Sequence, residues 1–194
     1  MDRPQYYRFH QGQKQLTFSD AEYETRLALL RQTMRDAAID ACVLTSMHNV
    51  SYYSGFLYCA FGRPYALVVT ATDSVTFSSG IDAAQPWRRC SGDNITYTDW
   101  QRNNYWRAIL SVTGKGKTIG YEGDHISLSQ MHLLEAFLSP SKTIDVAPAT
   151  MMQRMHKSPA ERELIRAGAA TADICGYAIR NQIKSSAREI DITM

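Results

Sequence analysis

The sequence lacks the features that mark membrane, secreted and nucleic-acid-binding proteins. No apolar run in its 194 residues approaches the ~20 residues of a membrane span, and the N-terminus has no apolar signal core. A net charge of +2 is too small to favour nucleic acid or a membrane surface as a partner. The segment Trp87-Arg88-Arg89 could stack on nucleic acid, but interspersed acids favour a solvated face or a subunit contact. We therefore expect a cytoplasmic protein that binds neither nucleic acid nor membrane.

Cysteine and histidine are too scattered to indicate a metal site or a disulfide framework. The four cysteines contain no C-x-x-C pair, and the five histidines show no H-E-x-x-H or paired spacing. Cys42 and Cys175 fall in apolar patterns and are predicted to be small core residues, whereas Cys59 and Cys90 fall in loops, where a reactive thiol is an alternative. The segment 122–125 offers carboxylates and a histidine, but it follows a strand pattern and is interpreted as a turn. We predict no metal ion and no other cofactor.

What the sequence does contain is an alternation of helical and strand patterns. A capping box at Ser19 begins a helix that runs to about Ala38, and residues 1–17 are interpreted as an extended arm. Strands are predicted at 40–45, 65–70, 74–79, 94–98, 117–122 and 143–146, and further helices at 48–53, 103–112, 127–138 and 148–156. The segment that opens at Gly80 and contains Ile81–Arg89 is predicted to be a loop. This order of elements predicts an α/β domain over residues 1–155, with a mixed sheet and helices on both faces.

The pattern changes after residue 155. Ser158-Pro159-Ala160-Glu161 combines an N-cap, a proline at the first helical position and a capping glutamate, and it begins a helix that runs to about Ile183. The apolar face of this helix needs a partner to cover it, and a further capping box begins at Ser186. We expect residues 156–194 to be the beginning of a second domain whose remainder is missing.

An aromatic-rich loop precedes the strand at 65–70 and contains the candidate binding residues Phe61 and Arg63. Gly62 loosens the backbone between them, and Pro64 biases Arg63 away from the α region. The sequence therefore predicts a ring and a guanidinium at the mouth of a strand, which suits a binding loop on a rigid scaffold. The alternatives are a core position for Phe61 and a solvated surface charge for Arg63.

Several segments resemble the creatinase branch of the creatinase/aminopeptidase P/prolidase superfamily. The resemblance is carried by Phe61-Gly62-Arg63-Pro64, by Gln85-Pro86-Trp87-Arg88-Arg89 and by Tyr97-Thr98-Asp99-Trp100-Gln101-Arg102, while Met155-His156-Lys157-Ser158-Pro159-Ala160-Glu161 resembles the more generic superfamily linker. It implies a ribonuclease H-like N-terminal α/β domain over 1–155. It also implies that 156–194 contains the first helix of a truncated pita-bread catalytic domain.

The resemblance further implies a homodimeric, metal-free amidinohydrolase that converts creatine to sarcosine and urea, with creatine or a related guanidino acid as its ligand. The N-terminal domain of one subunit would reach over the pocket of the other, and Phe61 and Arg63 match the residues of that overhang. Arg63 would hold the substrate carboxylate through two parallel bonds, and Phe61 would exclude water beside them. The catalytic histidine and glutamates would lie beyond Met194, so the present chain has no assignable catalytic residue and is expected to be inactive alone.

Two other functions stay open at this point. A metal-dependent Xaa-Pro aminopeptidase or prolidase relative would share the same N-terminal domain, with its metal ligands also beyond Met194. A non-catalytic assembly module would use Arg63 as a docking anchor. The segment Phe61-Gly62-Arg63 favours the creatinase branch.

Overall fold

The computed structural model describes residues 3–57, 62–82 and 85–190, and the chain divides into two compact units, residues 1–155 and 156–194. The described strands, all in the first unit, are β1 (Tyr6–Arg8), β2 (Ala41–Leu44), β3 (Ala66–Thr70), β4 (Ser74–Ser79), β5 (Asp93–Tyr97), β6 (Thr118–Tyr121) and β7 (Lys142–Asp145). The described helices of that unit are α1 (Asp20–Asp36), α2 (Met47–Ser54), α3 (Gln85–Arg89), α4 (Asn104–Thr113), α5 (Leu128–Leu138) and α6 (Ala147–Met155). The second unit contains α7 (Pro159–Gln182).

The strands form one mixed sheet with the order β1-β5-β4-β3-β2-β6-β7. Side chains alternate between its two faces, so that Ala41 and Val43 of β2 enter one apolar core while Cys42 and Leu44 enter the other. Helices α4 and α5 contribute to the first core, and α1 and α2 contribute to the second. The predicted mixed sheet with helices on both faces is confirmed.

Three short elements escaped sequence prediction. The arm contains β1, which pairs antiparallel with β5 so that Tyr6 lies opposite Tyr97. The loop predicted over Ile81–Arg89 contains a 3₁₀ turn at Gly80–Asp82 and the five-residue helix α3. Elements this short span too few residues to establish a hydrophobic period, so pattern alone does not reveal them.

The structure contradicts the core position predicted for Cys175, whereas Cys90 lies in a loop as predicted. Cys175 is exposed on α7 and is not a core residue. Cys90 is fully buried in the core beneath α1 and α2, and burial raises the pKa of its thiol. Because the thiolate is the reactive form, this environment disfavours a reactive Cys90. Cys42 is buried as predicted, and burial raises its pKa to about 12. Cys59 lies outside the described residues.

Two tryptophans hold the arm against the sheet. The Trp87 ring stacks on His10 with 4.2 Å between ring centroids, and its indole nitrogen donates to the Gly12 carbonyl at 3.2 Å. The Trp100 indole donates to the Pro4 carbonyl at 2.7 Å. The Trp87 face that could have stacked on a nucleic-acid base is therefore in contact with the protein's own arm.

In the second unit, α7 begins at the predicted capping box. The Ser158 hydroxyl accepts from the Glu161 amide at 3.2 Å, and the Glu161 carboxylate accepts from the Ser158 amide at 2.9 Å. The large apolar side chains of α7 are exposed: Leu164, Ile165, Ile174, Tyr177 and Ile179. None of the helices in the described part of the chain is both long and apolar enough to cross a membrane.

A buried carboxylate, Glu122, joins β6 to the start of α2. Its side chain accepts hydrogen bonds from the amides of Thr45 and Ser46, from the Ser46 hydroxyl, and from Asn49 Nδ2 at 2.6 Å. Asn49 Nδ2 also donates to Thr150 Oγ1 of α6 at 3.0 Å. Since Ser46 is at the same time the N-cap of α2, Glu122 fixes where this helix begins.

Gly55 fixes where α2 ends. Its φ of 82° is in the left-handed region, and its amide donates to the Ser51 carbonyl at 2.8 Å. A Cβ at this position would lie only 2.5 Å from the hydroxyl oxygen of the buried Tyr23. Both the backbone conformation and the space therefore require glycine here, as the sequence predicted for a residue just past a short helix.

Replacing Glu122 with Gln should destabilise the first unit. The carboxamide places an NH₂ group where an oxygen now accepts, so buried donors lose their acceptor at a cost of about 1–3 kcal/mol each. Urea unfolding should show a lower midpoint for Glu122→Gln. The matched control, Glu135→Gln on the exposed surface of α5, should stay within about 0.5 kcal/mol of the parent. Equal midpoints for the two variants would contradict a structural role for the buried carboxylate.

Gly55→Ala should lower the free energy of unfolding by about 2–4 kcal/mol, because left-handed strain adds to the clash with Tyr23. Gly116→Ala separates these two effects, since Gly116 also has a positive φ of 70° but a Cβ added there would meet no atom within 4 Å. The strain alone should lower the free energy of unfolding of that variant by about 1 kcal/mol. Thermal or urea unfolding of both variants makes the comparison, and equal losses would show that the Tyr23 contact imposes no constraint.

Candidate functional site

The candidate site lies at one edge of the sheet, where several connections meet. Strands β2 and β6 are parallel, as are β4 and β5, and β3 runs antiparallel to both β2 and β4. The carboxyl ends of β2, β4, β5 and β6 therefore lie at the same edge as the start of β3. In open α/β sheets this is the edge where ligands bind. It brings together Arg63 before β3, Thr45 after β2, Asp99 after β5 and His125 after β6.

The backbone on either side of the Arg63 side chain is held in place. Gly62 has a φ of 76°, so the chain turns sharply just before the arginine. After it, the Pro64 carbonyl accepts from the Tyr97 hydroxyl at 2.7 Å, and the Tyr65 carbonyl accepts from the Tyr105 hydroxyl at 3.3 Å. Burial raises the pKa of Tyr105, which keeps this hydroxyl protonated and able to donate.

The Arg63 guanidinium itself is accessible. Its side chain is 50% exposed, and Nη1 lies 3.2 Å from Oδ1 of Asp99, which is 37% exposed. Arg63 lines two neighbouring cavities of about 310 Å³ and about 370 Å³. Phe61, the other predicted binding residue, lies outside the described residues. The structure thus places a reachable, positioned cation beside space large enough for a small ligand.

The cavity of about 310 Å³ has aromatic walls and a few polar groups. Tyr65, Tyr105 and Trp106 are each at least nine-tenths buried and supply the apolar surface. On the polar side, Thr45 Oγ1 lies 3.0 Å from Nδ1 of His125. These groups suit a small anionic molecule with an apolar body.

The polar groups around His125 do not form a nucleophile triad. Thr45 Oγ1 contacts both the His125 ring and, at 3.5 Å, the Glu122 carboxylate. The hydroxyl therefore lies between acid and imidazole, whereas a triad needs the imidazole in the middle to relay the proton. This arrangement can position the cavity wall, and it assigns no acid–base chemistry to these residues.

The predicted turn over 122–125 is present, since the amides of His125 and Ile126 both donate to the Glu122 carbonyl. What sequence reasoning missed is the burial of the Glu122 side chain. The available signal was a carboxylate directly after a buried strand, where the connection that follows the neighbouring parallel strand can supply amide donors. Among the residues that the structure describes, no three His, Cys, Asp or Glu side chains come together in a way that could hold a metal ion.

Comparison with known proteins adds a close relative. Creatinase from Bacillus sp. (strain B-0618) is 42% identical over 182 residues, which is 92% of this chain and 44% of that protein. The chain therefore spans less than half the length of this curated relative.

Solved structures share the fold at low identity. Prolidase from Pyrococcus horikoshii OT3 superposes with a TM-score of 0.70 at 16% identity, covering 87% of this chain and 46% of that chain. The Creatinase/Prolidase N-terminal domain of an X-Pro dipeptidase from Streptococcus pyogenes gives a TM-score of 0.58 at 20% identity, covering 69% of this chain and 98% of that domain. At these identities the likeness concerns the fold alone.

The family profile agrees with both comparisons. It matches residues 26–156, which begin in α1 and include every later strand and helix of the first unit. The resemblance inferred from the Phe-Gly-Arg-Pro and Gln-Pro-Trp-Arg-Arg segments is confirmed at this level, and the chain belongs to the Creatinase/Prolidase N-terminal domain family.

Proposed function

We propose that this chain is the substrate-capping and dimerising N-terminal part of a creatinase, an amidinohydrolase that converts creatine to sarcosine and urea in a cytoplasmic homodimer. The observation that carries the proposal is Arg63, a half-exposed guanidinium at the carboxyl edge of the sheet. The 42% identity to a creatinase over most of the chain supports it, because this similarity far exceeds that to the prolidase structures.

In this proposal Arg63 binds the carboxylate of creatine or a related guanidino acid in the pocket of the neighbouring subunit. An arginine suits the task because its planar fork donates two parallel charge-assisted bonds to a carboxylate, which lysine cannot reproduce. Phe61 would lie beside this contact and exclude water, which strengthens the electrostatic attraction.

The two parts of the chain would have different roles in the complete enzyme. Residues 1–155 would form the capping domain, and residues 156–194 would begin a pita-bread catalytic domain. The histidine and glutamates that perform the hydrolysis would come from the part of the enzyme that corresponds to the unmatched remainder of the creatinase relative. The 194-residue chain alone would then be inactive towards creatine.

The main alternative is the N-terminal domain of a metal-dependent Xaa-Pro peptidase, since proteins of that type share the fold. The complete enzyme distinguishes the two reactions. A creatinase should release urea from creatine at an unchanged rate after dialysis against a chelator. A peptidase should cleave Xaa-Pro dipeptides and should lose that activity until a divalent metal is returned.

Arg63→Ala in the complete dimeric enzyme should lower kcat/KM for creatine by about 10- to 100-fold, because charge-assisted bonds to a carboxylate contribute about 1.5–3 kcal/mol. Arg63→Lys should recover only part of the loss, since the ammonium lacks the planar fork. Folding should change little, because the side chain is half exposed. Steady-state kinetics with urea detection makes the measurement.

Arg35→Ala is the matched control, because Arg35 is an exposed arginine of α1 that lines neither cavity. It should leave kcat/KM unchanged. If Arg63→Ala and Arg63→Lys both turned over creatine like the parent, Arg63 would be an ordinary surface charge. If both variants unfolded while the control did not, Arg63 would be structural.

A further inference from the structure

Arg63 has one charged partner in the described part of the chain, Asp99. Oδ1 of Asp99 lies 3.2 Å from the terminal nitrogen Nη1. A guanidinium has five N–H donors in a planar arrangement. No hydrogen bond joins these donors to another residue that the structure describes, and the side chain is 50% exposed, so donors remain available for a ligand.

The loop that carries Asp99 is fixed on both sides. On one side the Thr98 amide donates to the Gln5 carbonyl at 2.9 Å, and the Thr98 hydroxyl donates to the Pro4 carbonyl at 2.8 Å. On the other side the Trp100 indole donates to the same Pro4 carbonyl at 2.7 Å. The arm thus holds residues 98–100 against the sheet edge, so the short Asp99 side chain projects from an anchored loop and its carboxylate has few positions to occupy.

The Arg63 backbone is fixed as well, but its side chain is not. The Tyr97 hydroxyl bonds to the Pro64 carbonyl next to it. Beyond Cα, an exposed arginine side chain has many rotamers, and it loses this conformational entropy when it binds a ligand. A carboxylate on an anchored loop, in contact with the guanidinium, reduces the number of orientations that the guanidinium can take.

We infer that Asp99 is a positioning residue for Arg63: it holds one edge of the guanidinium so that the opposite edge is presented to the carboxylate of the substrate. This inference rests on the proposed function of Arg63. Asp99 would then be a second residue, besides Arg63, that determines how well the enzyme distinguishes a guanidino acid from a guanidine without a carboxylate. Asp99 touches no substrate atom and takes no part in proton transfer.

The test uses Asp99→Ala and Asp99→Asn in the complete dimeric enzyme, alone and combined with Arg63→Ala. Two probes are compared, creatine and N,N-dimethylguanidine, which has the guanidine but no carboxylate. Asp99→Ala should raise KM for creatine by about 3- to 5-fold, the range of an exposed ion pair, and should leave the inhibition constant of dimethylguanidine unchanged. Asp99→Asn retains an acceptor oxygen, so its KM for creatine should rise less.

The double variant and a matched control complete the design. In the Arg63→Ala background, Asp99→Ala should have no further effect on KM, because there is no guanidinium left to position. Asp36→Ala removes an exposed carboxylate at the end of α1 that lines neither cavity, and it should match the parent. Thermal unfolding of each variant checks folding, and Asp99→Asn supplies the result if Asp99→Ala does not fold.

The outcomes separate the inference from the function on which it rests. If Arg63→Ala leaves creatine turnover unchanged, the proposed function of Arg63 is wrong. If Arg63→Ala lowers turnover but both Asp99 variants match or exceed the parent, Asp99 does not position Arg63. The inference is also overturned if Asp99→Ala weakens the binding of creatine and of dimethylguanidine equally. It is overturned as well if Asp99→Ala still raises KM for creatine in the Arg63→Ala background.

Discussion

The first unit depends on a buried carboxylate that has no ion-pair partner among the residues that the structure describes. Glu122 is 1% exposed, and removing a carboxylate from water is costly unless hydrogen bonds replace its hydration. Here the replacement comes from two main-chain amides, a hydroxyl and an amide side chain, all at the start of α2. The N-terminus of a helix also carries the partial positive charge that favours an anion. The same interaction therefore stabilises the carboxylate and fixes the connection between β2 and α2.

Because α2 leads into the segment before β3, the position of α2 also affects the candidate site. With its first turn fixed by Glu122 and its last residue followed by Gly55, α2 has a defined length. The segment after it must then return to the sheet edge to begin β3, where the hydroxyls of Tyr97 and Tyr105 bind its backbone. The result is an anchored backbone at Pro64 and Tyr65, directly after the half-exposed Arg63 guanidinium. Such an arrangement favours recognition of a charged group, because rigid scaffolds hold a contact geometry more accurately than loops do.

The parts of the fold that sequence reasoning predicted are those determined by local patterns. The helix caps at Ser19, Ser127 and Ser158 each accept the expected amide, and strand β4 has the predicted ends. The positions of Gly62 and Pro64 correctly predicted that Arg63 lies at the mouth of a strand. The parts that were missed depend on partners distant in sequence: Glu122 binds residues more than 70 positions earlier, and β1 pairs with β5. Asp99 could not be identified as the partner of Arg63 without the sheet order, because only that order brings the start of β3 and the end of β5 to the same edge, on either side of β4.

The short strand β1 affects whether copies of this domain can pair along the edges of their sheets. A sheet edge with unpaired amides and carbonyls is a template for pairing with another chain. Strand β5 would be such an edge, because four of its five residues are buried and few charges would oppose a second strand. The three residues of β1 occupy that edge and replace it with a shorter one that ends in Arg8, whose side chain is 59% exposed and pairs with Asp93. The arm that anchors the Asp99 loop thereby also protects the β5 side of the sheet from edge-to-edge aggregation.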